Sequence, residues 1–514
     1  MPSFVAPRSS QPTILIAGAG IGGLTTALHL HAAGYTDIHI FEASSTLSAL
    51  GVGINVQPSA ALILRNLGLQ PALDSTAIRT AELNFYNRHG DPILSEPRGV
   101  DAGYAVPQYS VHRGEFQMLL LDAVKERVGA ERVHLNHALA SFTQDDAAGT
   151  VTATFIQRTR SSNSAPLSSS SVAPDATTAT ATTAEPTPAS IPSKTGALLI
   201  ACDGINSTAR RQLYPTEGPP HFSGRMLWRG CLELDAPYLT GRSMVWAGHA
   251  DQKFIAYPIS SRSTTTTNAG RPLVNWIAEL RVRPASDPDT TPPAQTNWNA
   301  AVPKSRFAAP FDSWTCGGLR VRDLIARAPA VYEFPMCDRT PVERWSFGRV
   351  TLLGDAAHAM YPIGSNGATQ AIIDAETLAR CLVVVEEISG DGSGDAASGD
   401  DGVVEALAEY ERLRLPPTRK IVYANRANGP DHVLQLAEER APDGFADVHD
   451  VIPKEELEAI GREYKAVAGF EMENVNRKAR ETEGVAERLG LRSPKGWVVV
   501  EGEGDGEIAA ASAA

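Results

Sequence analysis

The chain has 514 residues, enough for two or three domains, and its 43% hydrophobic and 20% charged residues are those of a globular protein with a sizeable core. A formal net charge of -13 leaves no excess of Lys and Arg to neutralise a phosphate backbone, which argues against nucleic acid as a partner. Five scattered cysteines (Cys202, Cys231, Cys316, Cys337, Cys381) lack metal spacing, no signal-peptide pattern opens the chain, and no apolar run reaches the roughly 18–20 residues of a membrane span, so a cytoplasmic protein with reduced thiols, no metal site and no membrane span is expected.

Residues 13–43 read as a βαβ unit: the apolar strand "TILIAG", the helical "LTTALHLHAAG" stopping at Gly34, and the strand "DIHIFEA". Its first turn carries Gly18-Ala19-Gly20-Ile21-Gly22-Gly23. Gly18 permits the tight turn, Gly20 lets a pyrophosphate approach the backbone, and Gly23 lets the helix pack on the strand. The helix N-terminus then presents free amides to the phosphates. Glu42 ends the second strand, where an acid accepts the ribose hydroxyls of an adenosine. Strand, helix and acid together indicate a dinucleotide site, for FAD or NAD alike; no second fingerprint of this kind occurs.

Residues 80–96 look like a hairpin, and 112–129 have helical periodicity, with Phe116, Leu119, Leu120 and Val124 on one face. Two short strands follow. Residues 159–195 are dominated by Ser, Thr, Ala and Pro, a composition that cannot bury enough apolar area to offset its ordering entropy, and are expected to form a disordered insertion. The apolar "ALLIAC" then ends in Asp203-Gly204, with Ser207 and Arg210 opening a helix. From 224 to 283 the pattern alternates like an antiparallel sheet containing Trp228, Trp246, Tyr257 and Trp276, equally consistent with core and with a ligand-facing wall. A third apolar strand, Val350–Leu353, ends in Gly354-Asp355 and passes through a loop shaped by Pro362 and Gly364 into a helix after Asn366. Residues 388–402 are a second polar insertion, 403–490 are mostly helical, and the acidic, Ala-rich tail after about 500 reads as disordered.

The fingerprint and two further strands ending in an acid beside a Gly, in this order, resemble the aromatic-hydroxylase class of FAD-dependent monooxygenases over residues 13 to about 425. "GVGINVQPSA", "SEPRGVDAGYAVPQYSVHRGEFQMLLLDAV", "WRG", "AYPIS", "VNW" and "YPIGSNGATQAIIDA" are more narrowly similar to the bacterial phenazine-carboxylate monooxygenases of pyocyanin formation, a branch of secondary metabolism. Ile373 before Asp374 also fits that subgroup, where most of the class has Glu-Asp; the two insertions and the extended C-terminus depart from it.

The resemblance implies an α/β fold: a glutathione-reductase-like FAD-binding Rossmann domain interleaved with an antiparallel-sheet substrate domain, and a helical C-terminal region. The corresponding boundaries are 13–76, 111–215 and 345–386 for FAD (with 159–195 as the disordered insertion), and 77–110 and 216–344 for substrate. A flexible insertion at 387–402, a helical region at 403–499 and a disordered tail at 500–514 complete the chain. It also implies non-covalent FAD, NADPH or NADH as co-substrate, and hydroxylation of an aromatic small molecule by O2 through a flavin C4a-hydroperoxide, with or without decarboxylation. By the same resemblance Asp355 meets the ribityl chain, Arg113 and Gln117 accompany the flavin cofactor, and Asp203 lies near the path of the nicotinamide. The amides of Gly367 and Ala368 are placed for the negative edge of the reduced flavin, beside the dinucleotide set Gly18, Gly20, Gly22, Gly23 and Glu42. The catalytic candidates are Tyr257, His358, Tyr361 and Arg229, the last able to meet a carboxylate; His358 reads also as a structural hydrogen-bonder and the two tyrosines as packing residues, and no residue is singled out as a base. A flavin halogenase or oxidase on the same fold, and a non-catalytic flavin-binding partner protein, stay open as alternatives; the protein is expected to be a monomer or homodimer.

Overall fold

The computed structural model describes residues 12–49, 51–157, 190–235, 238–260, 272–294, 301–389 and 402–492. Ile14–Ala17 is buried at every position and pairs in parallel with two other fully buried runs, Ile38–Phe41 and Leu198–Ala201. Burial on both faces explains why these strands read as continuous rather than alternating hydrophobic runs. Val350–Leu352 adds in parallel beside Leu198–Ala201, Val133–His134 beside Ile38–Phe41, and Ser346–Phe347 closes the edge antiparallel, for six strands in all. The turns that follow Ala17, Ala201 and Leu352 therefore leave the same carboxyl edge, the edge at which open α/β sheets bind ligands.

Steric demand accounts for two of the fingerprint glycines. Gly18 has φ +106°, and a Cβ there would lie 2.4 Å from the Cys202 carbonyl oxygen. A Cβ on Gly23 would lie 2.0 Å from the Gly18 carbonyl oxygen, so the helix Ile21–Ala32 can rest on its own turn only without a side chain there. At Gly20, by contrast, a Cβ would meet nothing within 4 Å.

The second layer is a seven-stranded sheet in the order Val331–Asp338, His221–Glu233, Leu273–Arg281, Gln252–Ser260, Ser243–His249, Glu82–Tyr86, Pro92–Pro97. The expected hairpin of residues 80–96 joins this sheet through the parallel pairing of Glu82–Tyr86 with Ser243–His249. The alternation of the aromatic strands resolves into two faces. Trp228 stacks on Phe307 at 4.9 Å between centroids, and Trp276 lies in the same core cluster, whereas Trp246 and Tyr257 belong to another. A third, three-stranded sheet of Gly53–Val56, Gln108–His112 and Ile78–Thr80 lies beside these two.

One expected insertion is shorter than its composition suggests. Its last six residues, 190–195, belong to the strand Ser190–Gly196, antiparallel to Thr150–Ile156. The pairing is polar: Thr152 meets Thr195 at 2.8 Å and Thr154 meets Ser193 at 3.2 Å, both exposed. A solvated ladder of this kind needs backbone partners more than apolar area, so composition understates it. The helix Gly367–Ser389 likewise runs to residue 389 of the second insertion; 158–189, 390–401 and the expected tail lie outside the described residues.

The helix Val403–Arg426 packs on Gly367–Ser389, and its Arg414 reaches the fully buried Asp374. Asp374 Oδ2 accepts from the Gly354 amide at 3.1 Å and the His358 Nε2–H at 2.5 Å, while Oδ1 accepts from Arg414 Nε at 2.6 Å. Burial alone would raise this carboxyl's pKa; the charges and hydrogen bonds of His358 and Arg414 outweigh it and bring it down to about 2.

Gly23→Ala is expected to destabilise the protein by about 1–3 kcal/mol in urea unfolding without added ligand, and Gly20→Ala to stay within about 0.5 kcal/mol of wild type. Asp374→Asn, which strands Arg414, should cost about 3–5 kcal/mol at pH 7. A depressed carboxyl stabilises above its unfolded pKa and loses that contribution as pH falls through its folded value. The wild-type advantage over Asp374→Asn should therefore shrink between pH of about 4 and about 2, followed by unfolding midpoints across that range.

Candidate active site

A cleft of about 320 Å³ lies between the carboxyl edge of the six-stranded sheet and one face of the seven-stranded sheet. Its floor is made by Gly20–Gly22 of the fingerprint, Cys202 and Gly204 of the second turn, and Leu353–Asp355 and Asn366–Ala368 of the third. Gly53–Asn55 and Arg113 contribute further wall. The roof is a row of register partners across four strands: Arg229 opposite Ile277, Ile277 opposite Ile255, and Ile255 opposite Trp246. Tyr257, two residues beyond Ile255, shares their face.

The floor has the chemistry of a dinucleotide site. The space over Gly20 is open to a ligand. Glu42 stands behind it, accepting from the amides of Ala19 at 2.9 Å and Ser44 at 2.8 Å. Asp355 is exposed at the end of its strand, following Gly354 at φ +63°. Gly367 and Ala368 open a 23-residue helix, so their free amides and the positive end of its dipole face the cleft. Arg113, the first residue of the helix Arg113–Val124, is exposed there and its side chain makes no ion pair among the described residues. These groups fit an extended cofactor with hydroxyls, phosphates and an anionic edge.

Two expected cofactor residues act from behind. Gln117 Nε2 donates to the Ala19 carbonyl at 2.8 Å and so holds the fingerprint turn. Asp203 accepts from the amides of Thr208 at 2.7 Å and Ala209 at 3.2 Å, stabilising the start of the helix Thr208–Leu213; burial raises its pKa. Neither is among the cleft-lining residues, and Gly18 and Gly23 likewise shape the turn without lining the cleft.

The four catalytic candidates divide evenly. His358 turns away from the cleft: it is 2% exposed, bonds Asp374 and packs on Trp345. With Asp374 ionised, Nε2 must be the donor, which makes His358 a structural bond and corrects its expected catalytic role. Tyr361 is corrected likewise, since its hydroxyl meets His221 Nδ1 at 2.8 Å and it is not among the residues that line the cleft. Arg229 and Tyr257 do line the cleft. Burial pushes the Tyr257 phenol's pKa up, so it stays a protonated donor and a poor base. Arg229 is half-buried, its Nε has no partner, and its guanidinium lies 5.6 Å from the centre of the Phe334 ring. Burial pulls its pKa down, Tyr257 opposes this and Arg113 adds to it. No carboxylate among the described residues forms an ion pair with Arg229.

Several cleft residues escaped the sequence reading. Asn366 hydrogen-bonds Tyr464 at 2.7 Å, and Ser365, which accepts from Asn55 Nδ2 at 3.3 Å, holds φ +56°, a costly conformation for a residue with a side chain. Tyr464 comes from the helix Lys454–Ala468, and no local pattern marks it. Its hydroxyl fills the place a Cβ on Gly364 would take, 2.1 Å away. Trp246, Ile255 and Ile277 could be found in part, because period-2 alternation puts Ile255 on the face of Tyr257.

Residues 329–398 match the FAD binding domain family. The chain is 40% identical over 419 residues to the phenazine 1,6-dicarboxylic acid hydroxylase of Lysobacter antibioticus, covering 81% of this chain and 90% of that protein. It is 27% identical to the salicylate hydroxylase of Pseudomonas putida, covering 89% and 95%. Among solved structures, a salicylate hydroxylase substrate complex superposes with a TM-score of 0.62 at 19% identity, over 92% of this chain and 98% of that one. Klebsiella pneumoniae HpxO complexed with FAD and uric acid gives 0.57 at 19% identity, over 91% and 96%. A likeness of this extent to the first relative, on a cleft whose floor fits FAD, places the chain in the FAD-dependent aromatic-ring monooxygenases.

Proposed function

We propose that this NAD(P)H-dependent FAD monooxygenase hydroxylates a fused aromatic carboxylate, with Arg229 as the partner of the carboxylate. The observation that carries the reading is a guanidinium that forms no ion pair among the described residues, set in the roof of a cleft whose neighbouring roof residues, Ile277, Ile255 and Trp246, are apolar and aromatic. A flat ring is favoured against such a surface, and an anion is needed to compensate the guanidinium. The relatives named for phenazine dicarboxylic acid and for salicylate are both named for aromatic carboxylates, the first of them fused and the second a single ring.

Bound FAD, reduced by NAD(P)H, supplies the activation of O2; the chain supplies position and surroundings. In this reading the amides after Gly20 and the Glu42 carboxylate hold the adenosine side, Asp355 takes the ribityl hydroxyls, and Arg113 and the Gly367–Ala368 amides face the flavin. Arg229 orients the substrate ring, and the Tyr257 hydroxyl donates to an oxygen on it. The roof row excludes water, which keeps the oxidising equivalents for the ring.

The same cleft supports part of the proposed division of the chain. Every floor and wall residue falls within 13–76, 111–215 or 345–386, and every roof residue within 216–344. Five free thiols support a cytoplasmic setting. Among the described residues no helix is long and apolar enough to cross a membrane.

The test is NAD(P)H consumption with phenazine-1-carboxylate, salicylate and their amides, with product mass separating simple from decarboxylative hydroxylation and from peroxide release. Stimulation by the acids over the amides is expected; equal response to both would overturn the role of Arg229. Arg229→Gln should raise KM for the acids by about 10- to 100-fold while FAD occupancy is kept. Asp355→Ala should instead lower FAD occupancy of the purified protein, read from the ratio of flavin to protein absorbance; full occupancy would overturn its role.

A further inference from the structure

The loop that leads from Tyr361 into the helix at Gly367 places two left-handed residues in succession, Gly364 at φ +69° and Ser365 at φ +56°. Glycine takes that conformation freely, but Ser365 holds it only where its surroundings impose it. The groups that impose it stand behind the loop: Gln57, Asn425 and Tyr464 are buried, and none of them lines the cleft.

Each carbonyl on the back of the loop is held by a side chain. Asn425 Nδ2 donates to the Tyr361 carbonyl at 3.0 Å. The Gly364 carbonyl accepts from Gln57 Nε2 at 3.3 Å and from Asn366 Nδ2 at 3.2 Å. Tyr464 fixes the second of these donors. Its hydroxyl accepts from Asn366 Nδ2 at 2.7 Å and shares its own proton between Asn425 Oδ1 at 2.7 Å and the Ile363 carbonyl at 3.2 Å. Burial raises the phenol's pKa, so the hydroxyl keeps that proton. The ring has a single seat, since a Cβ on Gly364 would collide with the hydroxyl and one on Gly429 with the ring edge.

A trans peptide points its C=O and N–H in opposite directions. With the Gly364 carbonyl turned back to Gln57 and Asn366, the Ser365 amide faces the other way, and Ser365 lines the cleft. Amides around a left-handed turn make a concavity for negative charge, and here it runs on into the Gly367 and Ala368 amides. A hydride from NAD(P)H brings two electrons and one proton to bound FAD, leaves NAD(P)+ behind and adds one negative charge to the site.

We infer that Tyr464 and Gln57 are positioning residues for flavin reduction: they hold the Gly364–Ser365 peptide with its amide toward the cleft, and so raise the reduction potential of bound FAD. The inference rests on the proposed placement of the flavin over this loop. It gives the C-terminal helix Lys454–Ala468, which carries Tyr464, a part in setting the redox chemistry of a cleft it does not line.

The test is the midpoint potential of the purified holoenzyme, equilibrated with a reference dye, for wild type, Tyr464→Phe and Gln57→Met. Each substitution nearly keeps the side chain's shape and removes its hydrogen bonds. Each should weaken the binding of reduced FAD about tenfold relative to oxidised FAD, a shift of about 30 mV to lower potential. The Kd for oxidised FAD should stay within about threefold of wild type. A potential within about 10 mV of wild type, a factor of about two, overturns the role of the residue replaced. A lowered unfolding midpoint with that unchanged potential marks a merely structural contact and overturns it equally. Should one variant fail to fold, the other still decides whether the held peptide sets the potential. If wild type binds FAD and neither variant shifts, the inference alone fails; if wild type does not bind FAD, the placement of the flavin fails and the inference falls with it.

Discussion

One buried carboxylate holds the working end of the molecule together. Asp374 gathers the Gly354 amide, the His358 ring and the Arg414 guanidinium, which lie 20, 16 and 40 residues away in sequence. A charge without solvent needs every one of these donors, because the loss of any leaves a desolvated ion uncompensated. The bond to Gly354 secures the turn from which Asp355 projects, and the bond to Arg414 fastens the helix Val403–Arg426 to the back of the same loop. The C-terminal region is therefore a structural support of the cleft proposed to hold FAD. Tyr464 repeats the pattern further along, bonding Asn366 and Asn425 and packing against Gly364.

The features that were legible in the sequence are those settled by local sterics. Gly18 and Gly23 are required by contacts within a few residues of the turn or between adjacent strands, and buried parallel strands announce themselves as apolar runs. The acid of Glu42 or Asp355 at a strand end is equally local. Direction is harder to read. His358 and Tyr361 stand next to the motif acid in sequence, yet the short helix Asp355–His358 and the following turn point one at Asp374 and the other at His221. Nothing in the order of residues distinguishes that from facing the cleft.

The roof shows where period and register part company. Alternation predicts which residues share a face along one strand. It does not say that Arg229, Ile277, Ile255 and Trp246 fall in one line, because the offset between strands is set by their connections and packing. Nor does it say which face meets the floor. Trp228 and Trp276 were as good candidates as Trp246 until Phe307 claimed them for the opposite core. The result is a division of electrostatic labour, with amides, acids and one arginine below and, among the described roof residues, the Arg229 guanidinium and the Tyr257 hydroxyl set beside apolar side chains above.

The polar ladder beside the Rossmann sheet has a consequence for how the chain can vary. Ile156 and Ser190 are register partners although 33 residues separate them in sequence, so the two strand ends there are adjacent in space. Closing a flexible loop costs entropy that grows only with the logarithm of its length, about 0.6 kcal/mol per doubling. For any connection between two such strand ends, growth from about four residues to about 32 is three doublings, or about 2 kcal/mol. Length at this place is thermodynamically cheap, so insertions and deletions here can accumulate, or be introduced, with little effect on the cleft.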